Sequence, residues 1–156
     1  MKTCLVGCGG IAAVHGSVLT SGIDTEFVAA ADIKPEKAQS YAENFHTKPY
    51  PSLESMLEAE KPDVLHICTP HYLHVPMAIY SLERNINVFM EKPPAISFDQ
   101  LEELKKAAAK SEAQLGFCYQ NRYNASIRAA KDLIDSGKAG KVLGARAFVT
   151  WCRGAA

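Results

Sequence analysis

Gly7, Gly9 and Ala12 stand at the spacing of a phosphate-binding turn, because Thr3-Cys4-Leu5-Val6 runs directly into Gly7-Cys8-Gly9-Gly10-Ile11-Ala12. In that pattern Gly7 permits the tight passage from strand to helix, Gly9 lets the backbone approach a pyrophosphate, and small Ala12 lets the helix lie close on the strand. The anion would rest on free N–H groups of the turn, those of Gly10 and Ile11 included, aided by the helix dipole and needing no lysine. Asp32 closes the next apolar run, Phe27 to Ala31. About 20 residues past the turn, a carboxylate can accept hydrogen bonds from adenosine ribose hydroxyls. It would repel a 2′-phosphate, so NAD is expected over NADP, with Lys34 softening exclusion to selectivity.

Two further groups could act beside such a cofactor. The run Cys68-Thr69-Pro70-His71-Tyr72-Leu73-His74 follows an apolar strand, and Glu91-Lys92-Pro93-Pro94 follows the next. Both fall at carboxyl ends of strands, where ligands bind in open α/β sheets. Thr69 and Pro70 would make a turn facing the cleft, with His74 either beside the cofactor or merely capping the next helix. Lys92 could hold or release a substrate hydroxyl proton if its environment lowers its basicity; the plainer reading is a surface ion pair with Glu91. In Tyr119-Gln120-Asn121-Arg122-Tyr123, Asn121 could touch nicotinamide or substrate, or the segment could cap a helix starting near Asn124. His15 reads as a packing or surface residue.

The elements that would position these groups alternate strand and helix. Strands are expected over Thr3 to Val6, Phe27 to Ala31, Asp63 to Thr69, Ile86 to Met90 and Gln114 to Cys118, nearly continuous apolar runs of the kind buried in a parallel sheet. Helices are expected from Pro35 to Phe45, from Ser52 to Glu60, and after Ser97, where Ser97 and Gln100 have capping-box spacing and Leu101, Leu104, Ala107 and Ala108 share a face. The pattern is α/β, a doubly wound parallel sheet of the Rossmann type. Beyond it, 124–136 reads as a helix with Ile127, Ala130, Leu133 and Ile134 as its stripe, and 142–151 as one long strand. The expected division is a dinucleotide-binding domain over 1–121 and the first helix and strand of a truncated second α/β domain over 122–156.

At 156 residues the chain can bury one core but not two full ones. Seventeen basic and seventeen acidic side chains cancel, which argues against nucleic-acid or anionic-membrane partners. No apolar run is long enough to span a bilayer and Met1-Lys2 opens no signal peptide, so a cytoplasmic protein with a small-molecule partner is expected. Five scattered cysteines read as buried thiols, and no ligand spacing suggests a metal.

Together, Gly7-Cys8-Gly9-Gly10-Ile11-Ala12, Cys68-Thr69-Pro70 with His74, and Glu91-Lys92-Pro93 resemble, in order and spacing, three signatures of the Gfo/Idh/MocA oxidoreductase family. The segment from Gly140 to Trp151 resembles that family's passage into its second domain. The resemblance implies oxidation or reduction of sugars, inositols or related polyols with NAD or NADP, and Lys92 as catalytic lysine. The glycines, Asp32, Thr69, Pro70, His74, Glu91 and Lys92 would serve the cofactor, the last two on the nicotinamide side. It also implies a second domain carrying most substrate contacts and a further aspartate and histidine; the chain ends before these, so a fragment is expected, from a full-length protein that forms homo-oligomers. Two other readings are a non-catalytic dinucleotide sensor and, more distantly, a methyltransferase, which does not predict Glu91-Lys92-Pro93.

Overall fold

A computed structural model describes residues 1–22, 24–148 and 150. The chain separates into two compact units, Met1–Tyr119 and Gln120–Ala156.

The first unit contains strands β1 (Lys2–Val6), β2 (Glu26–Ala31), β3 (Lys48–Tyr50), β4 (Val64–Ile67), β5 (Asn87–Glu91) and β6 (Leu115–Cys118). Its helices are α1 (Gly10–Leu19), α2 (Pro35–Phe45), α3 (Leu53–Glu60), α4 (His74–Leu82) and α5 (Phe98–Lys110). All six strands are parallel, in the order β3-β2-β1-β4-β5-β6. This is the doubly wound arrangement, and the order reverses between β1 and β4, which opens the crevice that ligands use.

Strand alternation sorts side chains onto two faces. One carries Cys4, Val6, Ala29, Ala31, Leu65, Ile67, Val88 and Met90 against Leu53, Met56, Leu57, Val75, Ala78, Leu82 and Leu104 of the helices, and this is the main core. The other carries Leu5 and Ala30 against Ala12 and Tyr41 in a smaller core. Farther across that face the register pairs His66 with Phe89 and Glu91 with Cys118.

The expected strands form within one or two residues of their expected ends. The short β3, with Pro49 at its centre, was not expected; its ladder to Ala29–Ala31 makes it the sheet's edge. Ser97 caps α5 by accepting from the Gln100 N–H at 3.2 Å, while the Gln100 side chain accepts from the Ile96 N–H at 3.2 Å, one residue earlier than an ideal capping box.

The described residues of the second unit hold a 3-10 turn, Gln120–Tyr123, and α6 (Ala125–Asp135). The strand expected over 142–151 is not formed across its described residues, 142–148 and 150. β-Branched and aromatic side chains favour an extended chain, but a strand exists only against a partner that takes its N–H and C=O groups. Positions 149 and 151 lie outside the described residues.

Candidate functional site

Gly7 ends β1 with φ at +91°, a conformation that favours glycine. A Cβ there would lie 2.8 Å from the backbone of Cys68 and Thr69, so β1 and β4 approach at the switch point as closely as glycine permits. Nothing lies within 4 Å of where a Cβ of Gly9 or Gly10 would stand. The N-cap of α1 is Gly9, which supplies no side chain to satisfy the helix's first N–H groups. An uncapped helix start facing open space is what a pyrophosphate requires.

Asp32 completes this corner. Its Oδ2 accepts from the Cys8 N–H and its Oδ1 from the Lys34 N–H, both at 2.9 Å, so the carboxylate is fixed before any ribose arrives. Thr69, across the crevice, has a buried Oγ1 with no hydrogen-bond partner among the described residues. A buried hydroxyl left unpaired costs free energy, and one placed beside a phosphate turn fits a ligand that pairs it. These groups line a cleft of about 340 Å³.

Of the expected site residues, Gly7, Gly9, Gly10, Ile11, Asp32, Thr69 and Pro70 line this cleft. Tyr72 and Leu73, from the run between Pro70 and His74, join them, as do Ile33, Lys37 and Met77, which no motif marked in the sequence. Lys34 also lines the cleft, two residues past Asp32. Ala12 lies beneath it, fully buried, its carbonyl accepting from the Tyr41 hydroxyl at 2.7 Å.

His74 is fully buried rather than cleft-lining. Its Nδ1 lies 2.8 Å from the Pro93 carbonyl and its Nε2 3.0 Å from the Thr69 carbonyl, so one ring braces the turn after β4 against the turn after β5. Both partners only accept; a neutral ring donates to one of them and an imidazolium to both.

Lys92 is exposed at the carboxyl end of β5, while Glu91 is buried. The expected surface ion pair between them is not formed: Glu91 turns inward to His15, whose Nε2 lies 3.0 Å from Oε1. Burial pushes the Glu91 carboxyl up, but hydrogen bonds from His15, Cys118 and the Lys92 backbone outweigh it and hold the group below its ordinary value. His15 is therefore a buried partner, reached also by His66 at 2.9 Å between the two Nδ1 atoms. Burial, reinforced by His15, pushes His66 down to about 4 and keeps it neutral. Asn121 belongs to the second unit, in the 3-10 turn, where its Oδ1 accepts from Asn124 Nδ2 at 3.5 Å.

Burial also raises the Cys8 thiol, to about 12, with Asp32 adding to the effect, which disfavours the thiolate in the phosphate turn. No helix among the described residues is long and apolar enough to cross a membrane.

Residues 1–119 match the family described as "Oxidoreductase family, NAD-binding Rossmann fold". Among similar proteins, the D-glucoside 3-dehydrogenase of Escherichia coli K12 is 28% identical over 144 residues, 91% of this chain and 41% of that protein. The inositol 2-dehydrogenase/D-chiro-inositol 3-dehydrogenase of Lacticaseibacillus casei is 28% identical over 151 residues, 94% of this chain and 44% of that protein. The WlbA dehydrogenase of Bordetella pertussis, solved with NADH and UDP-GlcNAcA, superposes with a TM-score of 0.87 at 31% identity, over 90% of this chain and 44% of that one. The chain thus spans about two fifths of the length of the relatives it matches.

Proposed function

This chain belongs to the Gfo/Idh/MocA oxidoreductase family, and we propose that it is the cofactor-binding part of an NAD-dependent dehydrogenase acting on a sugar, inositol or related polyol. The observation that carries the reading is the convergence of an uncapped helix start, a fixed Asp32 carboxylate and an unpaired Thr69 hydroxyl on one cleft, with Lys92 farther along the same sheet edge. Named relatives act on glucosides and inositols, which supports the substrate class.

When bound, NAD supplies the hydride acceptor or donor. The chain's own residues do the rest. The N–H groups at the start of α1 hold the pyrophosphate, Asp32 accepts from the adenosine ribose hydroxyls, and Thr69 and Pro70 form the opposite wall. The Lys92 Nζ takes the substrate hydroxyl proton as the carbinol is oxidised, or returns it in the reverse direction. His74 keeps the two turns at a fixed separation. Cys4, Cys8 and Cys68 form no disulfide, which suits a cytoplasmic protein.

The test uses the full-length protein with NAD and a panel of sugars and inositols. Lys92→Ala should lower turnover by about 10²- to 10⁴-fold while NADH affinity stays within about twofold; unchanged turnover removes the lysine from the reaction. Calorimetry should find NAD bound more tightly than NADP, and equal affinities would overturn the role given to Asp32. NADH binding without turnover on any polyol would favour a dinucleotide sensor.

A further inference from the structure

Buried His15 and Glu91 and half-buried His66 form a polar line that none of the cofactor contacts uses. The His15 and Glu91 side chains are each only 6% exposed, so water does not screen their contact. A carboxylate only accepts, hence His15 Nε2 carries the proton shared with Glu91 Oε1. With His66 neutral, the contact between the two Nδ1 atoms then takes its proton from His66 when His15 is neutral. With a neutral His15 donation runs from His66 through His15 to Glu91, and an imidazolium at His15 donates to both neighbours; in either case Glu91 receives its hydrogen bond from His15. On its other oxygen, Glu91 accepts from the Lys92 backbone N–H at 3.2 Å. Cys118, its ladder partner on β6, also donates to the carboxylate.

We propose that His15 is a positioning residue for Lys92: by fixing the Glu91 carboxylate it ties the Lys92 backbone to α1, the helix that begins at the phosphate turn. This rests on the role given to Lys92 above. Cofactor and lysine would otherwise be carried by separate loops, after β1 and after β5, and a misplacement of about 1 Å between reacting groups can cost about 10²-fold in rate. Removing His15 leaves a buried carboxylate short of a donor, so it must reorient or take up a proton. Either response loosens the Lys92 N–H. His15, Glu91 and Cys118 also present nitrogen, oxygen and sulfur donors within 4.8 Å of one another, but each already has a partner, so the arrangement needs no ion.

The experiment compares His15→Ala and His15→Gln in the full-length protein, following hydrogen exchange at the Lys92 amide, NADH affinity and turnover on the best polyol of the panel. His15→Ala should speed Lys92 amide exchange by about tenfold or more. Its kcat should fall by about 10- to 100-fold with NADH affinity kept within about threefold. His15→Gln returns an N–H donor to Glu91 and should recover most of both losses, which a purely space-filling role would not explain. Unchanged exchange and kcat in His15→Ala, with Lys92→Ala still inactive, would overturn the proposal and leave the dehydrogenase reading intact. If Lys92→Ala proves active, that reading falls, and the exchange measurement alone decides whether His15 holds this backbone. Should His15→Ala not fold, Glu91→Gln is judged by the same exchange criterion. Stoichiometric Zn²⁺ binding abolished by His15→Gln would overturn positioning in favour of a metal centre.

Discussion

Glu60 and Glu91 are both buried carboxylates at ends of the same sheet, and they are held by different chemistry. At the amino edge, Glu60 ends α3 and meets Lys48 Nζ at 2.9 Å, the Tyr50 hydroxyl at 2.6 Å and Lys2 Nζ at 2.9 Å. At the carboxyl edge, Glu91 meets an imidazole, a thiol and a backbone N–H. Two cations neutralise Glu60, and it joins β1, β3 and α3 into a closed clasp. Glu91 is balanced by donors with no permanent charge, next to an exposed lysine. The first arrangement secures the fold; the second lies next to the lysine proposed to move the substrate proton.

The largest effect should come where the carboxyl edge is tightest. Gly7→Ala forces a Cβ to within 2.8 Å of backbone atoms of Cys68 and Thr69, at a φ of +91°. No flexible side chain can yield there, so the loss should exceed about 3 kcal/mol, with NADH binding lost as well. Urea denaturation measures the first and calorimetry the second. A loss below about 1 kcal/mol would show that the crevice opens easily and that the two edges do not differ in rigidity.

The next effect separates the carboxylates. Glu60→Gln should cost about 2 kcal/mol, below the usual range for a broken buried pair because Lys48 and Lys2 are 68% and 33% exposed, and should leave NADH affinity unchanged. Acid should resolve the two edges too. Hydrogen bonds from Tyr50, Lys48 and Lys2 hold Glu60 at about 2 against an ordinary 4.5, so as pH falls through that window the unfolded chain takes up a proton the native chain refuses, and stability is lost. His66, held at about 4 against an ordinary 6.5, refuses its proton earlier, between those values. Each unit of either window is worth up to about 1.4 kcal/mol. Stability should therefore decline in two stages on acidification, with His66→Phe removing the upper and Glu60→Gln shrinking the lower, to which Glu91 also contributes; one stage abolished by both substitutions would mean that the edges are not independent.

What the sequence announced and what it hid divide along the same lines. The glycine turn, Asp32, Thr69-Pro70 and Glu91-Lys92-Pro93 were legible because their signals are local: a glycine where φ is positive, an acid at a strand end, a proline after it. The helix after Ser97 was legible from its cap. The β3 strand was hidden because three residues with a central proline owe their extension to the Ala29–Ala31 ladder rather than to their own preference. His15 and His66 carry no local mark at all; they meet because β4 and α1 pack on one face, 51 residues apart in the chain. The same reasoning explains the strand expected over 142–151, whose composition favours extension but which has no neighbour to pair with among the described residues.

The smallest effect asks whether Lys92 is held by Glu91 or by the helix that follows it. Ser52 and Ser97 cap α3 and α5 with the same geometry, each accepting an N–H at 3.2 Å from the residue three positions on. Alanine at either should cost about 1 kcal/mol. Only Ser97 begins a helix that continues from the Glu91-Lys92-Pro93-Pro94 turn, and its box partner Gln100 also takes the Ile96 N–H. If Lys92 takes its place from the β5 end, through the carboxylate and His15, then Ser97→Ala should match Ser52→Ala in denaturation midpoint and leave Lys92 amide exchange as it was. Exchange accelerated in Ser97→Ala but not in Ser52→Ala would move control of the lysine from the buried glutamate to the helix cap, and the contrast between the two glutamates would then reduce to a difference in charge.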